Sequence, residues 1–379
     1  MTRYNRHALC AAALGLLLLV GVSTAHAQST IPVRVSTRSL AMGGATLLSS
    51  GPIEAGYYNP GSLTLNRGFS LYIPMVQATV DNNFLDTVKW IDDHQADFDD
   101  FDSMSDPDKL AFINEVNDEI GNKWIAVNVD PMIGVQVGSF SLSAYSVTRA
   151  NVRMATSTAF PYQEPEIQAY AINDIVFNAG VGLQLAPLLH GGVGVRYVNR
   201  RMSDGIVTVS SEDGGSITDL FGEASESDGE SINGFALDVG GTFTLTQAFA
   251  VGGVIRGLVS SMEDEDWEPE LSVGARVKPL ELLMGIPLVF VRDITVEANI
   301  SDLANSRDED YAEKLQLGAE VKIPLFALRA GMNRGRISYG LGMHFLVVDL
   351  AVAKATVPLI LPDGVFDDEI FSVSVGIGF

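Results

Sequence analysis

The sequence predicts an all-β fold: a transmembrane antiparallel β-barrel of about fourteen strands, with an N-terminal segment inside its lumen and a short helical insert after strand 1. Three observations predict it. The first is the C-terminus, where Phe371, Val373, Val375, Ile377 and Phe379 share one strand face and Ser372, Ser374, Gly376 and Gly378 share the other. A terminal strand with no further chain frays unless something pairs with it, and closing a barrel supplies the partner. On its own this segment also fits the last strand of a soluble sandwich. The second is the recurrence of such two-faced runs. The third is a mean hydropathy of +0.21 in a chain of net charge -23. No run after the N-terminus has the ~20 apolar residues of a membrane helix. Strands with one face toward lipid reconcile these facts.

The elements follow in order. Arg3 and Arg6 precede an apolar run from Ala8 to Val22, and Ala25-His26-Ala27 closes it. This is the pattern of a secretory signal peptide, assigned to residues 1–27. Cys10 is the only cysteine, so a chain cleaved after Ala27 has neither a disulfide nor a thiolate metal site. Residues 28–68 form the N-terminal segment and 69–379 the barrel, with 82–123 as an acidic helical insert on the extracellular side.

Strands are predicted at 69–80, 131–138, 140–149, 174–185, 190–201, 234–246, 248–259, 270–279, 289–300, 314–323, 325–333, 335–344, 346–355 and 370–379. The connections after the first, third, fifth, seventh, ninth and thirteenth are long and polar. Most of the others are short. Outer-membrane barrels have short periplasmic turns and longer extracellular loops, so both termini are placed in the periplasm. Two connections break the parity: a tight link near Arg334 and a longer one from Leu280 to Leu288.

In the insert, Leu110, Ile113, Val116 and Ile120 recur at helical spacing, between a start at Asp106-Pro107 and a stop at Gly121. One or two short amphipathic helices are expected there, as an acidic cap or as a docking site for a partner or ligand.

Residues 38–63 read RSLAMGGATLLSSGPIEAGYYNPGSL and do not alternate. Gly43-Gly44 permits a tight turn, and Tyr57-Tyr58-Asn59-Pro60-Gly61 is a turn built from Asn, Pro and Gly. An Arg-x-Leu-x-Met-Gly-Gly-Ala opening followed by an aromatic-Asn-Pro turn and the first strand resembles the FadL-type outer-membrane family. Its relatives include PorV-type and TraF-like barrels. The resemblance implies fourteen strands with the N-terminal segment folded inside as a hatch, through which transporters of the family pass hydrophobic molecules such as long-chain fatty acids. It carries over to Met42, Gly43, Gly44, Asn59 and Pro60, with Tyr57 and Tyr58 beside them. Asn-Pro-Gly stands here where the family usually has Asn-Pro-Ala. The helical insert after strand 1 looks more like the TraF-like group.

Other residues qualify the reading. Arg276, Glu297, Glu320 and Arg329 are candidate lumen charges that line a path or pair to hold the plug. Phe371 and Phe379 resemble the terminal signal read by outer-membrane assembly machinery. The acidic run Asp92 to Asp108 offers carboxylates to calcium but lacks EF-hand spacing. His94, His190 and His344 stand in no triad or metal-ligand spacing, so no catalytic residue, metal or cofactor is assigned. The acidic balance disfavours nucleic acid as a partner. Expected partners are outer-membrane lipid, a hydrophobic small molecule and the assembly machinery. Two functions are expected: passive uptake of small hydrophobic compounds through a hatch-gated lumen, or a non-transporting barrel serving assembly, secretion or conjugation.

Overall fold

In the computed structural model, the described residues are 32–82, 84–121, 124–159, 161–162, 166–208, 231–263, 267–282, 290–304, 310–361 and 364–378. The expected signal peptide, Phe379 and the loop positions near Asp228 and Asp264 lie outside them.

The alternating runs become one closed sheet of fourteen antiparallel strands. They are β1 (Phe69–Asp81), β2 (Ile125–Val137), β3 (Phe140–Ala155), β4 (Glu166–Ala186), β5 (Leu189–Thr208), β6 (Ser231–Thr244) and β7 (Phe249–Met262). They continue with β8 (Glu270–Val277), β9 (Asp293–Ile300), β10 (Leu315–Lys322), β11 (Phe326–Asn333), β12 (Arg336–Phe345), β13 (Val348–Leu361) and β14 (Gly364–Gly378). Each strand pairs with its sequence neighbours, and β14 returns to β1, with Ile370 opposite Asp81 and Gly376 opposite Met75. Closure leaves no unpaired edge, which is the condition for surrounding a sheet with hydrocarbon.

The pleat sorts the two faces. Phe177, Leu183, Val195, Tyr197, Phe235 and Val375 are exposed on the outside. Between them Asn178, Arg196, Ala236 and Ser374 turn inward and are buried. An outer surface this apolar is unusual for a protein facing water.

Several strands run further than the alternation indicates. β2 starts at Ile125, β3 reaches Ala155, and β4 and β5 form a ladder out to Glu166 and Thr208. The region between the thirteenth and fourteenth strands, expected to be a long acidic loop, is instead strand up to Leu361 and again from Gly364. β13 and β14 stay in register from Val348 opposite Ile377 to Leu361 opposite Gly364. Pro358 and the acids Asp367, Asp368 and Glu369 suggest a loop in sequence. The ladder nevertheless continues across them, with Thr356 opposite Glu369 and Pro358 opposite Asp367. The tight link at Arg334 is a two-residue hairpin with φ 51° at Arg334 and 73° at Gly335, the conformation of a type I′ turn.

Helices are few among the described residues. Ahead of β1 lie α1 (Thr37–Ala41), α2 (Ala55–Tyr58) and a 3-10 turn (Pro60–Thr64). After β1 come α3 (Phe84–Asp93), α4 (Gln95–Asp99) and α5 (Asp106–Glu119). That is three helices where one or two were expected. α5 buries Ile113 and Val116 as its spacing predicts, but Phe112 joins them with Phe98, Phe101 and Met154 of β3. Phe98 and Phe112 meet edge to face at 5.0 Å. The insert therefore has an aromatic core of its own and rests on the end of β3.

Candidate functional site

The lumen is occupied by the chain's own N-terminal segment, so the site is built from what seats that segment. Locally its shape follows from capping. The Ser36 side chain accepts from the Ser39 amide and starts α1. Gly43 and Gly44, at φ 60° and 81°, end it, with the Gly44 amide returning to the Ser39 carbonyl at 2.8 Å. Asn59 is extended, and its Oδ1 accepts from the Gly61 amide at 3.0 Å, fixing the turn that Pro60 begins.

Two stretches of this backbone lie directly on wall glycines. At Met42-Gly43, a Cβ added to Gly318 would come within 2.6 Å of the Met42 carbonyl oxygen, and one on Gly43 within 2.5 Å of the Met332 amide nitrogen. A Cβ on Gly331 would collide with the Met42–Gly43 peptide itself. At Asn59-Pro60-Gly61, added carbons on Gly192 and Gly240 would strike Pro60 and Asn59. Here glycine is needed for the room it leaves, not for its φ. Polar contacts complete this second seat: Asn59 Nδ2 donates to Thr242 Oγ1 at 3.2 Å, and Thr64 Oγ1 meets His190 Nδ1 at 2.7 Å.

Tyr57 and Tyr58 fill the space between. Tyr57 packs on Tyr145 at 5.0 Å and on Tyr58 at 4.9 Å, within a cluster that includes Ile53, Met132, Val176 and Val198. Tyr58 Oη donates to the Arg34 carbonyl at 2.9 Å. Burial pushes both phenols above their ordinary range, so they act as neutral groups.

All four candidate lumen charges reach this assembly. Glu320 and Arg329 are register partners on β10 and β11, joined at 2.7 Å. Glu320 also receives a two-pronged bond from Arg38 of α1, Nε and Nη2 each at 3.0 Å. Arg276 and Glu297 face each other across β8 and β9 and hold one residue of the segment from two sides. The Leu48 amide donates to Glu297 at 2.8 Å, and Arg276 donates to the Leu48 carbonyl at 2.6 Å.

Other wall charges were not singled out in the sequence. Arg196 is fully buried against Asp238 and donates to the Pro32 carbonyl at 3.0 Å. Arg200 pairs with Asp174, its register partner, at 2.6 Å. The signal was opposite charges at inward positions of adjacent strands. Phe371, read as part of an assembly signal, sits outward on β14 and is 43% exposed. It belongs to the apolar exterior rather than to the lumen.

No family model matches the chain, and no curated protein matches it. Solved structures do match. A Pseudomonas putida toluene transporter, TodX, aligns over 93% of this chain and 99% of its own at 12% identity and a TM-score of 0.51. The Ralstonia pickettii toluene transporter TbuX aligns at 13% identity and 0.45, and a Pseudomonas aeruginosa FadL homologue at 11% and 0.44. The fold is that of the TodX barrel.

In this barrel the N-terminal segment lies between two chambers. The one toward the long connections is about 440 Å³, floored by Val33, Val35, Leu40 and Leu47. The one toward the short turns is about 490 Å³, lined by Arg38, Glu54, Arg276, Lys278, Asp293 and Glu320 among others. Among the described residues no group of three or more His, Cys, Asp or Glu is placed to hold a metal ion.

Proposed function

We propose that the chain is a bacterial outer-membrane channel for passive uptake of small hydrophobic compounds, and that residues 28–68 act as its hatch. The observation that carries the reading is a glycine-seated segment inside a closed barrel, with a chamber on each side. A solute held in the outer chamber crosses only when the segment shifts, so binding would be coupled to the hatch by differential affinity for its two positions. The toluene-transporter likeness supports this solute class. The exterior fits lipid, and the long connections fit the cell surface with both termini in the periplasm.

Three measurements check the parts. Deleting residues 38–63 is expected to give a barrel with larger and less selective conductance in planar bilayers. A deletion that conducts no better than the intact chain sinks the hatch. Val195→Arg, on the outward face of β5, is expected to cost about 2–4 kcal/mol of barrel stability in lipid, read from unfolding in denaturant. A cost near zero is incompatible with a lipid contact. Single cysteines at Asp99, Asp228 or Asp264 are expected to be labelled on intact cells, and those at Pro187 or Gln247 spared. The reverse pattern inverts the topology.

A second reading, a non-transporting barrel serving an assembly, secretion or conjugation partner, is favoured by the paired lumen charges. Arg196–Asp238, Arg200–Asp174 and Arg329–Glu320 fix the interior more than they line a path. A hatch deletion that conducts, with no uptake defect in intact cells, selects this reading.

A further inference from the structure

We propose that the outer chamber binds small neutral amphipathic molecules, each carrying one apolar ring or chain and one uncharged hydroxyl or amide. The proposal rests on the channel reading above and names its solute class. The chamber, about 440 Å³, falls within the ~300–1,000 Å³ range of small-molecule sites.

Its wall has two kinds of surface side by side. On β13 and β14, Ala355, Val357 and Ile370 pack with Leu40 of α1 into one apolar cluster that lines the chamber. On the adjoining strands β9 to β12, Asn299, Gln316, Asn333 and Ser338 offer neutral hydrogen-bonding groups, with Ser301 just past β9 and one charge, Arg336, among them. A ligand lying across the boundary between β12 and β13 would meet both.

The charges of the chamber are already engaged. Glu270 holds Arg256 at 2.7 Å and Ser272 at 3.0 Å. Asp130 accepts from the Thr148 amide at 2.7 Å. Arg149 and Arg336 also have partners. An ionic solute would lose its hydration here and would have to compete with these partners for a counter-charge. A pure hydrocarbon would displace water from amide and hydroxyl groups and return no hydrogen bond, the situation in which a polar site rejects an analogue lacking its donor. An alcohol or amide of the same size avoids both losses.

The test is calorimetric titration of the full chain in lipid nanodiscs, with empty nanodiscs subtracted. The probes are benzyl alcohol, toluene, benzoate and benzylamine, which share a ring and differ in the polar group. Benzyl alcohol is expected to bind at least tenfold tighter than the other three. A double variant, Asn333→Leu with Gln316→Leu, is expected to lose that preference and gain affinity for toluene. The ligand series on the unaltered chain decides the matter even if the variant fails to fold. Toluene, benzoate or benzylamine binding as tightly as benzyl alcohol overturns the proposal, as does no binding by any of the four. Liposome entry, measured separately, keeps the two readings apart. Benzyl alcohol that binds but does not enter leaves the site standing and removes the channel. Toluene that enters without a preference for benzyl alcohol removes the site and leaves the channel.

Discussion

A barrel carrying Gly192→Val and Gly331→Val should conduct where the parent chain stays closed. Both glycines are strand residues outside the positive-φ set, so valine suits their backbone and only space opposes it. At Gly192 the new side chain occupies the position of Pro60, and at Gly331 that of the Met42–Gly43 peptide. Overfilling a packed site costs about 1–3 kcal/mol at each position, and backbone atoms cannot rotate away as a side chain can. Both losses fall on the same short segment while the barrel's ladder is untouched, so the segment should leave its seats before the barrel unfolds. Planar-bilayer conductance and protease access to residues 38–63 report this together. Gly241→Ala is the control, since its Cβ would have its nearest neighbour at 3.7 Å. A double variant as closed and as protected as the parent would show that the seats do not hold the segment.

Glu320→Gln should loosen the same segment by a different route. The side-chain shape is kept, but Arg38 and Arg329 lose the carboxylate they share. Removing one member of a buried ion pair costs about 3–5 kcal/mol. The lower end applies here, because Arg38 is 17% and Arg329 10% exposed, toward the chamber on the short-turn side. Hydrogen exchange of α1 should speed up and trypsin should cut after Arg38, while the β-ladder exchanges as before. Exchange and cleavage unchanged in α1 would mean that the triad carries no net stabilisation.

The strands were legible where the outward face is apolar and the inward face small or polar, as along β5 and β14. They were hidden where that contrast ends. Toward the far ends of β13 and β14 the outward positions include Glu369, and period-two hydrophobicity disappears although the backbone ladder continues. Gly43-Gly44 and Asn59-Pro60-Gly61 were readable as turns from residue type alone. Their seats were not, because Gly192, Gly240, Gly318 and Gly331 belong to distant strands and look like ordinary small inward residues. The charges split in the same way. Glu320 and Arg329 stood out as inward charges, while Arg196 and Asp238 make sense only once β5 and β6 are in register. The aromatic core of the insert was missed because Phe98 lies in the five-residue α4 and Phe101 in a single 3-10 turn, both too short for a helical period to show.

Thr37 touches both strands that shut the cylinder. Its amide donates to Gln77 of β1 at 3.0 Å, and its hydroxyl meets Ser372 of β14 at 3.0 Å. Ser372 also receives Thr79 of β1 at 3.2 Å, so one small knot of hydroxyls ties the first strand, the last strand and the interior together. The pairing of β1 with β14 joins the most distant parts of the sheet in sequence, and such contacts form late because a long loop must close first. Docking of the interior and completion of the ring would then become a single late step in biogenesis. A nascent sheet still open at this join would expose its lumen glycines and hold its N-terminal segment on one side only. The last strand to arrive would complete the wall and latch its contents in the same motion.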